Sequence, residues 1–226
     1  MPLKYAYHPG NVAHSSATEV SQTMEPAAKS LGIELVPLLG ATSCGAGIIR
    51  QASRRLQLTL NARTFSMAEE MGLDIITPCA ATAGNLYEDL HTLKSNPNLL
   101  GEINDVLERN CGRRFNGDTN VHHLLHVIVD EIGLEKLESV VLNPLNLDAA
   151  GFYGPNIQQE GACGDDDVHD PTYLEQVIDV IGGNPIHWES RTQSVGVPGL
   201  FSDCLLYTSD AADDTPCVDL GGRRII

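Results

Sequence analysis

Basic residues are scarce in this chain. Lys and Arg number 14 against 30 Asp and Glu, which leaves a formal charge of −16 over 226 residues. So acidic a surface repels phosphate backbones and anionic headgroups, which argues against nucleic acid or acidic lipid as a partner. Long apolar runs are missing as well. No stretch approaches the roughly 18 residues needed to cross a bilayer. The opening Met1-Pro-Leu-Lys-Tyr-Ala-Tyr7 lacks the charged start and apolar core of a secretory leader. Six cysteines are present, but without the close spacing of a disulfide-stapled secreted domain. These absences predict a cytoplasmic protein in a reducing compartment.

The apolar fraction, 42%, is ordinary for a globular fold, and the length suits one large domain or two small ones. From about Asp203 the run Cys204-Leu-Leu-Tyr-Thr-Ser-Asp-Ala-Ala-Asp-Asp-Thr-Pro-Cys217 reads as a translated sequencing adapter joined to a gene fragment cut near Phe201. Residues 203–226 are therefore set aside as a non-native tail; the other reading is a disordered acidic tail. That leaves Cys44, Cys79, Cys111 and Cys163.

Along the rest of the chain, short apolar strands alternate with helical stretches. Leu3–His8 alternates in a strand-like way and stops at Pro9-Gly10. Ser15-Ser16 are expected to cap a helix that carries Val20, Met24 and Ala28 on one stripe and ends at Gly32. A strand over Ile33–Leu39 follows, then a long helix over about 46–71 with Ile49, Ala52, Leu56 and Leu60 on one face. Leu73–Thr77 reads as a buried strand, and helices are expected near 83–93, 99–110 and 121–132. A second strand–helix–strand pattern runs through Leu145–Tyr153, Pro171–Ile181 and Pro185–Glu189. The predicted class is α/β, with two related Rossmann-like halves of parallel sheet flanked by helices, the second half incomplete. The boundaries fall at 1–143 and 144–202, before the tail.

In parallel sheets, sites form beyond the carboxyl ends of strands. That rule places Asn11, Cys44 in Thr-Ser-Cys-Gly-Ala-Gly (42–47) and Cys79 in Thr-Pro-Cys-Ala-Ala-Thr (77–82) on one rim. Cys44 and Cys79 are the candidate metal ligands, with His8 and His14 available to complete a Cys2His2 zinc-like set. The competing reading has two small thiols filling a helix–sheet junction. Gly45 and Gly47 suit a tight strand-to-helix turn. His122 and His126 fall four apart on the expected helix, which suggests either metal or a structural helix, without the adjacent glutamate of a zinc-protease helix. The run 163–170, Cys-Gly-Asp-Asp-Asp-Val-His-Asp, reads as a hard-cation loop or a solvated turn. Cys111 reads as a helix end.

Taken together, these turns resemble the CCG cysteine-rich domain of the heterodisulfide reductase B family and its succinate dehydrogenase-associated relatives. The resemblance spans residues 1 to about 202. It implies, in each half, a cysteine after a strand, a Cys-Cys-Gly and a Cys-x-x-Cys, whose five thiols hold a 4Fe–4S cluster. On that pattern the first cysteine falls on Asn11, the pair on Ser43-Cys44, and the last two on Cys79 and Thr82. In the second half the lone cysteine falls on about Pro155 and the pair on Ser194-Val195. The iron–sulfur cluster expected for the family is thus incomplete or absent here. The implied role is a subunit of an electron-transfer oxidoreductase complex, its partners being other iron–sulfur or flavin subunits that would also mediate any peripheral membrane attachment. The alternatives are a non-catalytic docking or anchoring subunit and a zinc-stabilised one.

Overall fold

The computed structural model of the chain describes residues 3–11, 13, 16–162 and 164–194. The chain divides into units Met1–Gln193 and Ser194–Ile226; of the second, only Ser194 is among the described residues. His14, Ser15, Cys163, Val195, Gly196, Cys204, Cys217 and the tail 203–226 lie outside them.

Four strands, β1 (Leu3–Tyr7), β2 (Ile33–Pro37), β3 (Ile75–Thr77) and β4 (Val121–His123), form one sheet in the order β2-β1-β3-β4. Every pairing is parallel, with Leu3 opposite Ile33, Ala6 opposite Ile75 and Ile75 opposite Val121. All four carboxyl ends therefore share one edge. Helix α1 (Thr18–Leu31) returns the chain from β1 to β2; α2 (Ile48–Ala52) and α3 (Arg54–Met71) return it to β3. Then α4 (Ala80–Ser95) and α5 (Pro97–Cys111) lead to β4. The expected α/β class is what folds: the strands are runs of three to five residues, with β3 buried throughout, and the longer stretches between them form helices.

Apolar packing covers both faces of the sheet. On one face Phe65, Leu86, Leu93, Ile103 and Phe115 surround Ala6 and Ile75. On the other, Ala28, Leu31 and Val127 pack on Tyr5 and Ile76. After β4 the backbone winds through α6 (Leu124–His126), a π-helical stretch Val127–Ile132, and α7 (Leu134–Val140). A second parallel pair, β5 (Asp148–Ala149) with β6 (Asn184–Pro185), is joined by α8 (Tyr173–Val180). Val177, Val180 and Ile181 of that segment pack against the α1 side of the main sheet.

Several expectations are corrected. The helix expected over 121–132 begins as β4, because the backbone from Asn120 pairs with β3, Ile75 N–H donating to Asn120 O at 2.9 Å. Helix α1 starts at Thr18 with Ala17 in the cap position and no side-chain cap, so Ser16 does not serve as one. The long helix over 46–71 breaks at Ser53, whose hydroxyl caps α3 by accepting from Leu56 N–H at 3.2 Å. Its inward face is also different: Leu56 is 50% exposed, while Gln57, Asn61 and Thr64 are fully buried beside Phe65. The run Leu145–Tyr153 pairs as a strand only at Asp148–Ala149.

Gly84 marks where the segment 156–159 lies on α4. A methyl group there would overlap Asn156 O and stand 2.9 Å from Gln159 Nε2. On a free helix surface, Gly→Ala stabilises by about 1 kcal/mol. Here Gly84→Ala is expected to destabilise by about 1–3 kcal/mol, the range for overpacking, which a urea denaturation midpoint would report.

Candidate functional site

The turns that leave β1, β2 and β3 meet at the carboxyl edge of the sheet, beside the point where the strand order reverses. Gly10, with φ at +91°, lies so near the third turn that a methyl group would sit 2.6 Å from Cys79 Cβ and 3.3 Å from its Sγ. Only a residue without a side chain fits that approach. Asn11 then reaches the second turn: its Nδ2 donates to Cys44 Sγ at 3.3 Å and its Oδ1 accepts from Ser43 Oγ at 2.9 Å. Thr82, in the first turn of α4, places its hydroxyl 3.6 Å from the same sulfur. Asn11, Ser43, Cys44 and Thr82 thus form one hydrogen-bonded knot, and Cys79 stands next to it across Gly10.

The two thiols differ in surroundings. Cys44 is fully buried, whereas Cys79, in the N-cap position of α4, is half-buried. Beneath Cys44, Asn61 Nδ2 donates to the Cys44 carbonyl at 2.9 Å and to Asp89 Oδ2 at 2.6 Å. Asp89 is fully buried and pairs with Arg54. Burial pushes its carboxyl above the usual range, and the bonds from Asn61 and Arg54 oppose that shift. Arg50 forks onto Glu88 at 2.6 and 2.8 Å. This polar layer between α3 and α4 supports the Cys44 turn from below. It escaped the sequence reading because Gln57, Asn61 and Asp89 occupy positions where apolar residues are expected; polar residues recurring on one helical face were the only available signal.

His8 and His123 stand at the ends of β1 and β4. His8 Nδ1 accepts from Gly10 N–H at 3.1 Å, so Nε2 carries the proton and donates to Thr42 O at 3.0 Å. Both ring nitrogens are engaged, which leaves no lone pair for a zinc ion and corrects the expectation that His8 could serve as a ligand. His122 and His126 do not share a helical face either. His122 lies in β4 with its ring edge-on to Tyr5 and Nε2 3.4 Å from Asp74; His126 packs edge-on against Tyr173. Among the described residues no group of three or more His, Cys, Asp or Glu side chains is placed to hold a metal ion.

In the acidic run 163–170, Asp166 accepts from the backbone N–H groups of Thr172 and Tyr173 at 2.9 and 3.2 Å, at the start of α8. Asp167 accepts from those of His169 and Asp170 at 2.7 and 3.1 Å. These carboxylates organise a turn. Cys111 ends α5, its thiol against Leu107 O at 3.2 Å.

Residues 5–86 match the family model described as CCG, cysteine-rich domain. This span is similar to that cysteine-rich domain. Among curated proteins the chain is 27% identical over 175 residues to the B subunit of the ferredoxin/F(420)H(2)-dependent CoB-CoM heterodisulfide reductase of Methanosarcina acetivorans. That match covers 76% of this chain and 57% of the relative, so the chain spans little more than half of that protein. The chain is also 29% identical over 203 residues to the 8-methylmenaquinol:fumarate reductase membrane anchor subunit of Wolinella succinogenes, covering 89% of this chain and 70% of that one. Among solved structures, a hypothetical protein from Helicobacter pylori shares the fold, with a TM-score of 0.60 at 14% identity over 85% of this chain and 34% of its own. No helix among the described residues is long and apolar enough to cross a membrane. The matched span covers β1, β2, β3 and the first part of α4, and so includes Asn11, Ser43, Cys44, Cys79 and Thr82.

Burial holds the imidazole of His8 below its usual range and that of His123 down to about 4. An unfolded chain protonates histidine near pH 6.5, so between about pH 6.5 and 4 the unfolded state binds more protons and stability falls as pH drops. We expect His123 to account for a loss on the order of 3 kcal/mol across that window. Denaturation midpoints measured against pH should show a shallower slope in His123→Gln.

Proposed function

We propose that the chain is a subunit of an electron-transfer oxidoreductase complex of the heterodisulfide reductase B or succinate dehydrogenase type, in which most cluster ligands of the cysteine-rich domain have been replaced. The observation that carries this reading is the knot at the rim. The five positions that bear thiols in the family pattern are Asn11, Ser43, Cys44, Cys79 and Thr82, and their turns meet at one edge of the sheet.

The donors do not fit a conventional iron–sulfur cluster, which is held by about four thiolates. Two thiols are present, and the other three positions carry a neutral amide and two hydroxyls, which are weak ligands for a soft iron–sulfur centre. Those oxygens and the Asn11 amide spend their hydrogen bonds on one another and on Cys44. The chain's part in the complex is to dock its partners, which are other iron–sulfur or flavin subunits. The names of the relatives support partners of that kind, since one is a heterodisulfide reductase subunit and the other a fumarate reductase anchor. With a net charge of −16, the docking face of a partner is expected to be basic. A cytoplasmic location, with membrane attachment only through partners, belongs to the same proposal. So does the division into 1–143, a partial repeat 144–202 and a foreign tail 203–226.

Iron, labile sulfide and zinc analysis of anaerobically purified protein tests the reading. The expected result is less than one metal ion per chain; about four irons per chain would overturn the loss of ligands. The complementary test restores the thiols. The triple variant Asn11→Cys, Ser43→Cys, Thr82→Cys, reconstituted with iron and sulfide, is expected to take up about four irons and gain visible absorbance. The unaltered chain treated in the same way should stay colourless.

A further inference from the structure

We infer that His8 and His123 are a matched pair of positioning residues, each fixing one of the two cysteine turns at the rim through a single imidazole. The two sites repeat one design. Each histidine stands where a strand ends, His8 directly after β1 and His123 as the last residue of β4. In each, Nδ1 accepts from the backbone N–H two residues further on, Gly10 at 3.1 Å and Leu125 at 3.3 Å. In each, Nε2 then donates to a carbonyl on the turn of the neighbouring strand. His8 reaches Thr42 O at 3.0 Å, two residues before Cys44, and His123 reaches Pro78 O at 3.2 Å, directly before Cys79. Strand β1 neighbours β2 and β4 neighbours β3, so each ring braces the exit of the adjacent strand.

The chemistry suits imidazole. A backbone N–H on one side and a carbonyl on the other need a side chain that accepts at one atom and donates at another, held rigidly in one plane; neutral histidine does both. The donor also satisfies a carbonyl that has no ladder partner, because the chain has left the sheet there. Neither ring belongs to the family's thiol pattern, and neither bonds to a sulfur. Each sets the backbone from which a sulfur projects. The inference rests on the rim being the working edge of the chain, but its test reads thiol placement and requires no metal, so it fails or holds separately from the metal analysis.

The experiment measures iodoacetamide alkylation of the native full-length chain under reducing conditions, resolved cysteine by cysteine by peptide mass spectrometry. The exposed Cys111 is the internal reference. Asparagine keeps an acceptor near the position of Nδ1 but is too short to reach the distant carbonyl; glutamine restores a donor with the longer reach. His123→Asn is expected to raise the rate at Cys79 roughly three- to tenfold by local opening, with Cys44 unchanged. His8→Asn is expected to raise Cys44 by roughly tenfold or more, because that thiol is buried and reacts only on opening, with Cys79 unchanged. His123→Gln and His8→Gln should return each rate to within about twofold of the original. A general structural role would move both thiols together in every variant, and that result, or no change in either, overturns the proposal. If an asparagine variant fails to fold, the glutamine variant decides alone, since loss of control over either thiol with the long bond remade also overturns it.

Discussion

The parallel pairing of β1 with both β2 and β3 is the constraint on which everything else in this molecule depends. Because the three strands point the same way, the residues that follow them leave the sheet on one edge, although they are some 35 positions apart in the chain (79 − 44). Had one pairing been antiparallel, its turn would lie at the opposite end, and no choice of side chains would restore the meeting of Asn11, Cys44 and Cys79. The sheet is in turn buried on both faces, by Phe65, Leu86 and Phe115 on one side and by Ala28, Leu31 and Val127 on the other. Parallel strands need that double cover, so the helices that stabilise the fold also set the rim.

The close approach at Gly10 turns this shared edge into contact. A methyl group there would stand 2.6 Å from Cys79 Cβ, nearer than packed carbon atoms come. Polar atoms then close the gap: Asn11 bridges Ser43 and Cys44, Thr82 approaches the same sulfur, and Asn61 holds the Cys44 carbonyl from below. Buried polar groups of this kind are tolerable only when nearly all are paired. Asp89 illustrates the point. It is buried with Arg54 and Asn61 as partners, and removing either partner would leave an expensive charge behind.

Much of this was legible in the sequence, and the failures have physical causes. The rim could be read because short strand-like runs ending in Pro9-Gly10, Gly40 and Pro78 mark strand exits, and the exits of parallel strands share an edge. The strand at Val121–His123 was missed because three residues cannot declare a period; Val121, Leu124, Leu125 and Ile128 fit a helical stripe equally well. The inward face of α3 was misread because it is polar. Gln57, Asn61 and Thr64 look like solvent positions until Asp89 and the Cys44 carbonyl are seen beneath them. The role of His8 and His123 was illegible for a different reason: their partners, Thr42 O and Pro78 O, are backbone atoms, which leave no trace in residue type.

Those backbone bonds hold the rim through the protein's own groups. Where several thiolates gather around iron, their like charges repel and the metal supplies the attraction, so binding free energy becomes folding free energy. Here Asn11 and Ser43 are hydrogen-bonded to each other, Asn11 and Thr82 each approach Cys44 Sγ, and two imidazoles hold the turns from outside this group. The edge is thus assembled by the protein's own amides, hydroxyls and rings.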